Sequence, residues 1–198
     1  ARLAHWPLLK PQSFRRVLAH RIIHLCARLM ALLGGLALCL VIGAVCISVA
    51  GREAGDLAHS GGLGALGAWL LDRGLGPILG DFELVESGVA FAIFAFLPLT
   101  QLTGTHARVD VFTARFSSKV QQQIDAFWAI VMLVVMLLIS ARLYAGLQDK
   151  FRYGDTTYLI QFPIWWAYAA CFGAACVACA VSLYCAVMQV TGRAVNVQ

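Results

Sequence analysis

The sequence predicts an all-α integral membrane protein with four transmembrane helices, both termini in the cytoplasm and a basic amphipathic helix ahead of the first span. Three observations carry that prediction. Of 198 residues, 61% are hydrophobic and only 13% are charged, against about 45–50% and about 25% in a soluble domain. The charged residues leave four apolar stretches, each long enough at about 1.5 Å per helical residue to cross a hydrocarbon core about 30 Å thick. Backbone polar groups cannot go unpaired in lipid, so spanning segments must be helices, with a four-helix bundle as the default arrangement. The same composition excludes an ordinary soluble enzyme, a disordered chain and a secreted disulfide scaffold. The net charge of +5 comes from basic residues beside a hydrophobic span, which points to phospholipid headgroups and not to nucleic acid.

Residues 1–28 carry Arg2, Lys10, Arg15, Arg16, Arg21 and Arg28 and no acid. Pro11 and Ser13 suit a helix start. Phe14, Val17, Leu18, Ile22 and Leu25 then recur at helical spacing, with Arg16, His20 and His24 on another face, the pattern of a helix lying at a membrane surface. The apolar run that follows is too long for the core of a cleaved signal peptide. Residues 29–51 contain no charge and form the first span. Residues 51–81 are too rich in glycine for a stable spanning helix. There Leu63, Leu66, Trp69 and Leu70 fit one side of a short interfacial helix equally well as a loop resting on headgroups.

Asp81, Glu83 and Glu86 open the second span, residues 84–104, and Thr100, Gln101 and Thr103 gather at its far end. The third span covers about 122–146. A polar loop over 148–161 leads to the fourth, 163–190, with Pro163 in the first turn, where a missing N–H costs nothing. Residues 191–198 form a cytoplasmic tail, and residues 29–190 make one transmembrane domain. Orientation follows from the basic residues. Six precede the first span, whereas residues 52–86 hold only Arg52 and Arg73 among six acids, so the first loop belongs outside.

Candidate chemistry is sparse. The seven cysteines all lie in or beside apolar runs and read as small packing residues. The five histidines avoid the middles of the spans, which disfavours haem ligation. Ionisable residues, which mark ion and substrate routes in membranes, occur only at the span ends. No nucleophile–base pair, phosphate loop or zinc motif is visible, so neither catalysis nor a cofactor or metal is expected. Glu83 and Glu86 share a helix face. They suit a helix N-terminus through its dipole; a sharper reading pairs one of them with Arg142, which lies at similar depth, and a further one sets them against a partner protein. In the fourth span Ala170, Ala174, Ala178 and Ser182 recur every four residues, a row that lets helices approach closely in lipid, either inside the bundle or against a partner. Trp165 and Trp166 suit the interfacial aromatic belt. Arg15, Arg16, Arg21 and Arg28 suit anionic headgroups.

The run from Glu83 to Gly104-Thr-His106-Ala-Arg108-Val-Asp110, followed by Ile160-Gln-Phe-Pro163-Ile-Trp165-Trp166-Ala-Tyr168, resembles the DctQ-like small membrane subunit of tripartite ATP-independent periplasmic (TRAP) transporters. In that family a glutamate opens the second span and a Gly-x-His-x-x-x-Asp pattern closes it, matched here by Gly104, His106 and Asp110. The resemblance covers roughly residues 25–190. The sequence departs from the family in the uncharged residues before Gly104 and in a long, glycine-rich first loop. The resemblance implies a subunit of the bacterial inner membrane, not a complete transporter. A large DctM-like membrane subunit would carry the substrate and sodium sites. A periplasmic substrate-binding protein would deliver an organic acid, and the small subunit would be a static scaffold for an elevator-type motion. His106, Arg108 and Asp110 would then shape the cytoplasmic turn. The rival readings are a stand-alone tetraspan protein with a structural or assembly role and, less well supported, a membrane cytochrome subunit.

Overall fold

The computed structural model describes residues 11–60, 79–104 and 118–191, with side chains omitted for 11–19 and 118–119. Within these it contains four helices: α1 (Pro11–His59), α2 (Asp81–Thr103), α3 (Ser118–Tyr153) and α4 (Ile164–Val190). All four are long and apolar enough to span a membrane. At 49 residues α1 is longer than a bilayer requires. It joins the expected amphipathic segment and the first span into one rod, and it runs past Gly51 to His59. Ala54, Leu57 and Ala58 favour that extension despite Gly51 and Gly55. At its end the Nδ1 of His59 bonds the Gly55 carbonyl at 2.7 Å. The glycine-rich run over 61–78, with its candidate interfacial helix, lies outside the described residues.

Local chemistry sets the other helix ends. Gly104 closes α2 at φ 64, and its N–H bonds the Thr100 carbonyl; a residue lacking Cβ adopts this left-handed cap without steric cost. Gly154 does the same after α3, at φ 66, with its N–H on the Lys150 carbonyl at 3.1 Å. Pro163 caps α4 at φ −64 and ψ 114, one residue earlier than the first-turn position expected from sequence. Pro98 lies buried inside α2, where it removes one helical hydrogen bond.

The packing specifies how the four helices associate. α1 packs along α2, α2 along α4 and α4 along α3, while α1 and α4 meet only slightly and α3 forms no comparable face with α1 or α2. The helices therefore stand in an open row, α1–α2–α4–α3. Helices α1 and α2 run antiparallel, as do α4 and α3, whereas α2 and α4 are parallel. One end of the row, the loop end, carries the α3–α4 connection and the start of α2. The other, the terminal end, carries the first turns of α1 and the last turns of α4. The seam between α1 and α2 depends on glycine. A Cβ at Gly34 would sit 2.9 Å from the Cβ of Ala95, and one at Gly88 would collide with Val41.

Candidate functional site

At the loop end, the side chain of Glu83 is 6% exposed, and its two carboxylate oxygens face the chain between α3 and α4. The N–H of Leu159 donates to Oε1 at 2.7 Å, and the N–H of Ile160 donates to Oε2 at 3.0 Å. Adjacent backbone N–H groups aimed at the same place suit an anion, and such charge-assisted bonds are about twice as strong as neutral ones. The loop is braced within itself. The Thr157 N–H bonds the Phe162 carbonyl at 2.9 Å, the Phe162 N–H donates to the Thr157 hydroxyl oxygen at 3.0 Å, and the Ile164 N–H bonds the Asp155 carbonyl at 3.0 Å. Lys150 pairs with Asp155 at 2.7 Å. Gln161 takes φ 54, a conformation that costs a non-glycine residue some strain. Gly80, at φ 85, lies so close that a Cβ there would be 2.6 Å from Ile160. The result is a rigid tip with Tyr158 almost wholly exposed.

Glu83 thus joins the start of α2 to the entrance of α4. Among the described residues no ion pair links Arg142 to Glu83 or Glu86, and both Arg142 and Glu86 are exposed. The sequence could not reveal the true partner because backbone N–H groups in a loop carry no side-chain signature.

Along the middle of the row, α4 packs between α2 and α3. Ala174, Ala178 and Ser182 are buried, as are Ala175 and Cys171 of the neighbouring row. Ala170 continues the same spacing but is exposed. The small-residue row is therefore largely a seam within this chain. Ser140 of α3 meets Cys179 of α4, Oγ to Sγ, at 3.1 Å. A Cβ at Gly146 would lie 2.7 Å from the Tyr168 ring. Trp165 lies edge-on to Phe151, with ring centres 5.4 Å apart, and beside Trp166 at the same separation.

At the terminal end, Ala27, Leu102, Val181 and Cys185 form a buried cluster joining α1, α2 and α4. There His20 Nδ1 and the Tyr184 hydroxyl are 2.7 Å apart, and the His20 and His24 rings meet edge to face at 4.2 Å. Nothing in the sequence pattern singled out Tyr184. Two buried polar atoms here, Nε2 of His24 and Oε1 of Gln189, have no hydrogen-bond partner among the described residues. Arg21 and Arg28 are exposed on α1. The side chains of Arg15 and Arg16, and the whole of His106, Arg108 and Asp110, lie outside the described residues. Among the described residues no group of three or more His, Cys, Asp or Glu stands together as a metal site.

Among the described residues the arrangement consists of packed seams and hydrogen-bonded ends. The family model described as tripartite ATP-independent periplasmic transporters, DctQ component, matches residues 68–193. That region covers α2, α3 and α4 and leaves α1 outside. Neither the curated proteins nor the solved structures yield a match.

Proposed function

The chain belongs to the DctQ family, the small membrane component of TRAP transporters, and from that premise we propose that it is a non-catalytic scaffold subunit. In this reading it braces a large, DctM-like, elevator-type membrane subunit in the bacterial inner membrane. The complex takes up an organic acid by sodium symport, with a periplasmic protein delivering the substrate. The loop end faces the periplasm and both termini lie in the cytoplasm.

The observation that carries the reading is the distribution of polar groups. No Asp, Glu, Lys or Arg lies in residues 29–51, 87–104, 126–141 or 156–190. A polar substrate crossing lipid needs coordinating side chains, and these helices offer none along their middles. An open row has no lumen. It presents long apolar flanks that a large partner can cover, and the unpartnered polar atoms of His24 and Gln189 are groups a partner can satisfy. Arg15, Arg16, Arg21 and Arg28 hold anionic headgroups on the cytoplasmic side, each worth about 1 kcal/mol. His106, Arg108 and Asp110 shape the cytoplasmic turn.

The test is co-expression with the large membrane subunit, followed by reconstitution. The expected result is stoichiometric co-elution, with sodium-driven uptake of an organic acid only when the large subunit and the binding protein are both present. Solute movement in vesicles containing this chain alone would refute the scaffold reading. A monodisperse species that never engages a large partner would favour the stand-alone alternative.

A further inference from the structure

The row of helices is not equally tight along its length. At the terminal end α1 reaches α4 through His20 and Tyr184 and through the cluster around Ala27 and Val181. Towards the loop end the two helices part, and a wedge with a cavity volume of about 510 Å³ opens between them, floored by α2. Its walls include Leu40 and Ala44 of α1, Gly88 and Phe91 of α2, and Trp166 and Ala170 of α4; the polar groups of its lining side chains are the Ser87 hydroxyl and the Trp166 indole N–H. An apolar space of this kind in a membrane is not filled by water, and left empty it forfeits the dispersion contacts of its whole lining.

We propose that this wedge is a binding site for one acyl chain of a phospholipid from the leaflet on the loop side. The wedge is one leaflet deep. On α1 it runs from Ala37 to Ala44 and on α2 from Leu84 to Phe91, about 10–11 Å at about 1.5 Å per residue. That compares with roughly 15 Å for half of a hydrocarbon core. A transmembrane helix of a partner would have to continue through the other leaflet, where α1 has closed onto α4. An acyl chain ends at the midplane and meets no such obstacle. The wedge is also continuous with surface that already faces lipid, because Leu40 both lines it and stands two-thirds exposed on α1. Trp166, 57% exposed, sits near its loop-end mouth, where an indole N–H suits the interfacial carbonyl and phosphate groups of a lipid.

The site is tested on the full chain in phosphatidylcholine vesicles containing a graded fraction of lipid brominated at carbons 6 and 7 of one acyl chain. Bromine quenches tryptophan fluorescence on contact. One variant keeps Trp166 alone (W6F, W69F, W128F and W165F). A second keeps Trp128 alone, an exposed residue of α3 remote from the wedge. The expected result is that Trp166 quenching rises in simple proportion to the brominated fraction, as occupancy of one exchanging site requires, while Trp128, with several lipid neighbours, follows the curved response of bulk lipid. Adding Ala170→Phe, a change into open space, is expected to bring Trp166 into line with Trp128. The wild-type chain and its Ala170→Phe variant are also compared by lipid mass spectrometry after detergent purification, with at least one retained phospholipid expected to be lost on substitution. Identical quenching curves for the two reporters, or unchanged lipid retention in the filled variant, would overturn the proposal. So would stoichiometric cross-linking of Ala44→Cys to a large membrane subunit, which would assign the wedge to protein. Because the lipid readout uses this chain without partners, it stands or falls separately from the scaffold reading.

Discussion

Helices α1 and α4 are both apolar and both long enough to cross a bilayer, yet they occupy opposite positions in the molecule. α4 turns a continuous stripe of Cys171, Ala174, Ala175, Ala178, Val181, Ser182, Cys185 and Ala186 inward. α1 leaves Leu32, Leu36, Leu40 and Ile47 largely exposed. The difference lies in size, not hydrophobicity. Lipid tails are as apolar as leucine, so a leucine gains little by leaving lipid for a neighbouring helix. A small residue permits two backbones to approach, and the gain is dispersion summed along the seam. α4 consequently becomes the hub of the row, and α1 a flank that touches α2 wherever glycine allows it.

That contrast can be broken by exchanging sizes. Ala178→Leu, at a position only 1% exposed, overfills the hub and is expected to cost about 1–3 kcal/mol or more. Leu36→Ala on α1, exposed to lipid, should stay within about 0.5 kcal/mol. Equilibrium unfolding in mixed micelles measures both, and equal losses would remove the distinction between hub and flank. The next effect concerns the clamp at the loop end. Glu83→Ala should raise hydrogen exchange at the Leu159 and Ile160 amides by roughly an order of magnitude, the scale of a lost charge-assisted bond. Glu83→Gln keeps an acceptor and should fall between that variant and the wild type. Exchange that stays unchanged would mean that the loop holds its shape without Glu83.

Glycines give a finer comparison. Gly146→Ala drives a Cβ towards the Tyr168 ring, whereas the same change at Gly173 of α4 meets nothing within 4 Å. The first should destabilise by about 1 kcal/mol or more. The second should be neutral or stabilise by up to about 1 kcal/mol through helix propensity. A reversed order would mean that Gly173 faces a neighbour outside this chain. The smallest effect belongs to Lys150→Ala. Its ion pair with Asp155 is solvent-facing, and such pairs contribute little, so the unfolding curve should superimpose on that of the wild type.

Much of the fold was legible in the residues. Charge-free runs marked all four helices because lipid excludes unpaired charge and unpaired backbone alike. Gly104 could be recognised at the end of the second helix, and the structure supplies its physical role as a left-handed cap. The small-residue row of α4 was legible as a packing surface, although its spacing alone did not say whether this chain or another would cover it, or that Ala170 would fall outside the seam. The partner of Glu83 was not legible. Arg142 was the nearest complementary charge by depth, but the carboxylate is taken by two amides some 76 residues away. The continuation of α1 past Gly51 was obscured by glycine, whose propensity penalty the surrounding residues outweigh.

The sequence by itself determined that four helices are long and apolar enough to cross a membrane and that their middles hold no Asp, Glu, Lys or Arg, because solvation in lipid acts on each residue one at a time. Only the tertiary structure decided that the helices stand in an open row with α4 at its hub, that Glu83 fastens the α3–α4 loop, and that a wedge opens between α1 and α4. Those features depend on which surfaces approach closely, and close approach is a property of pairs of helices that no single stretch of residues contains.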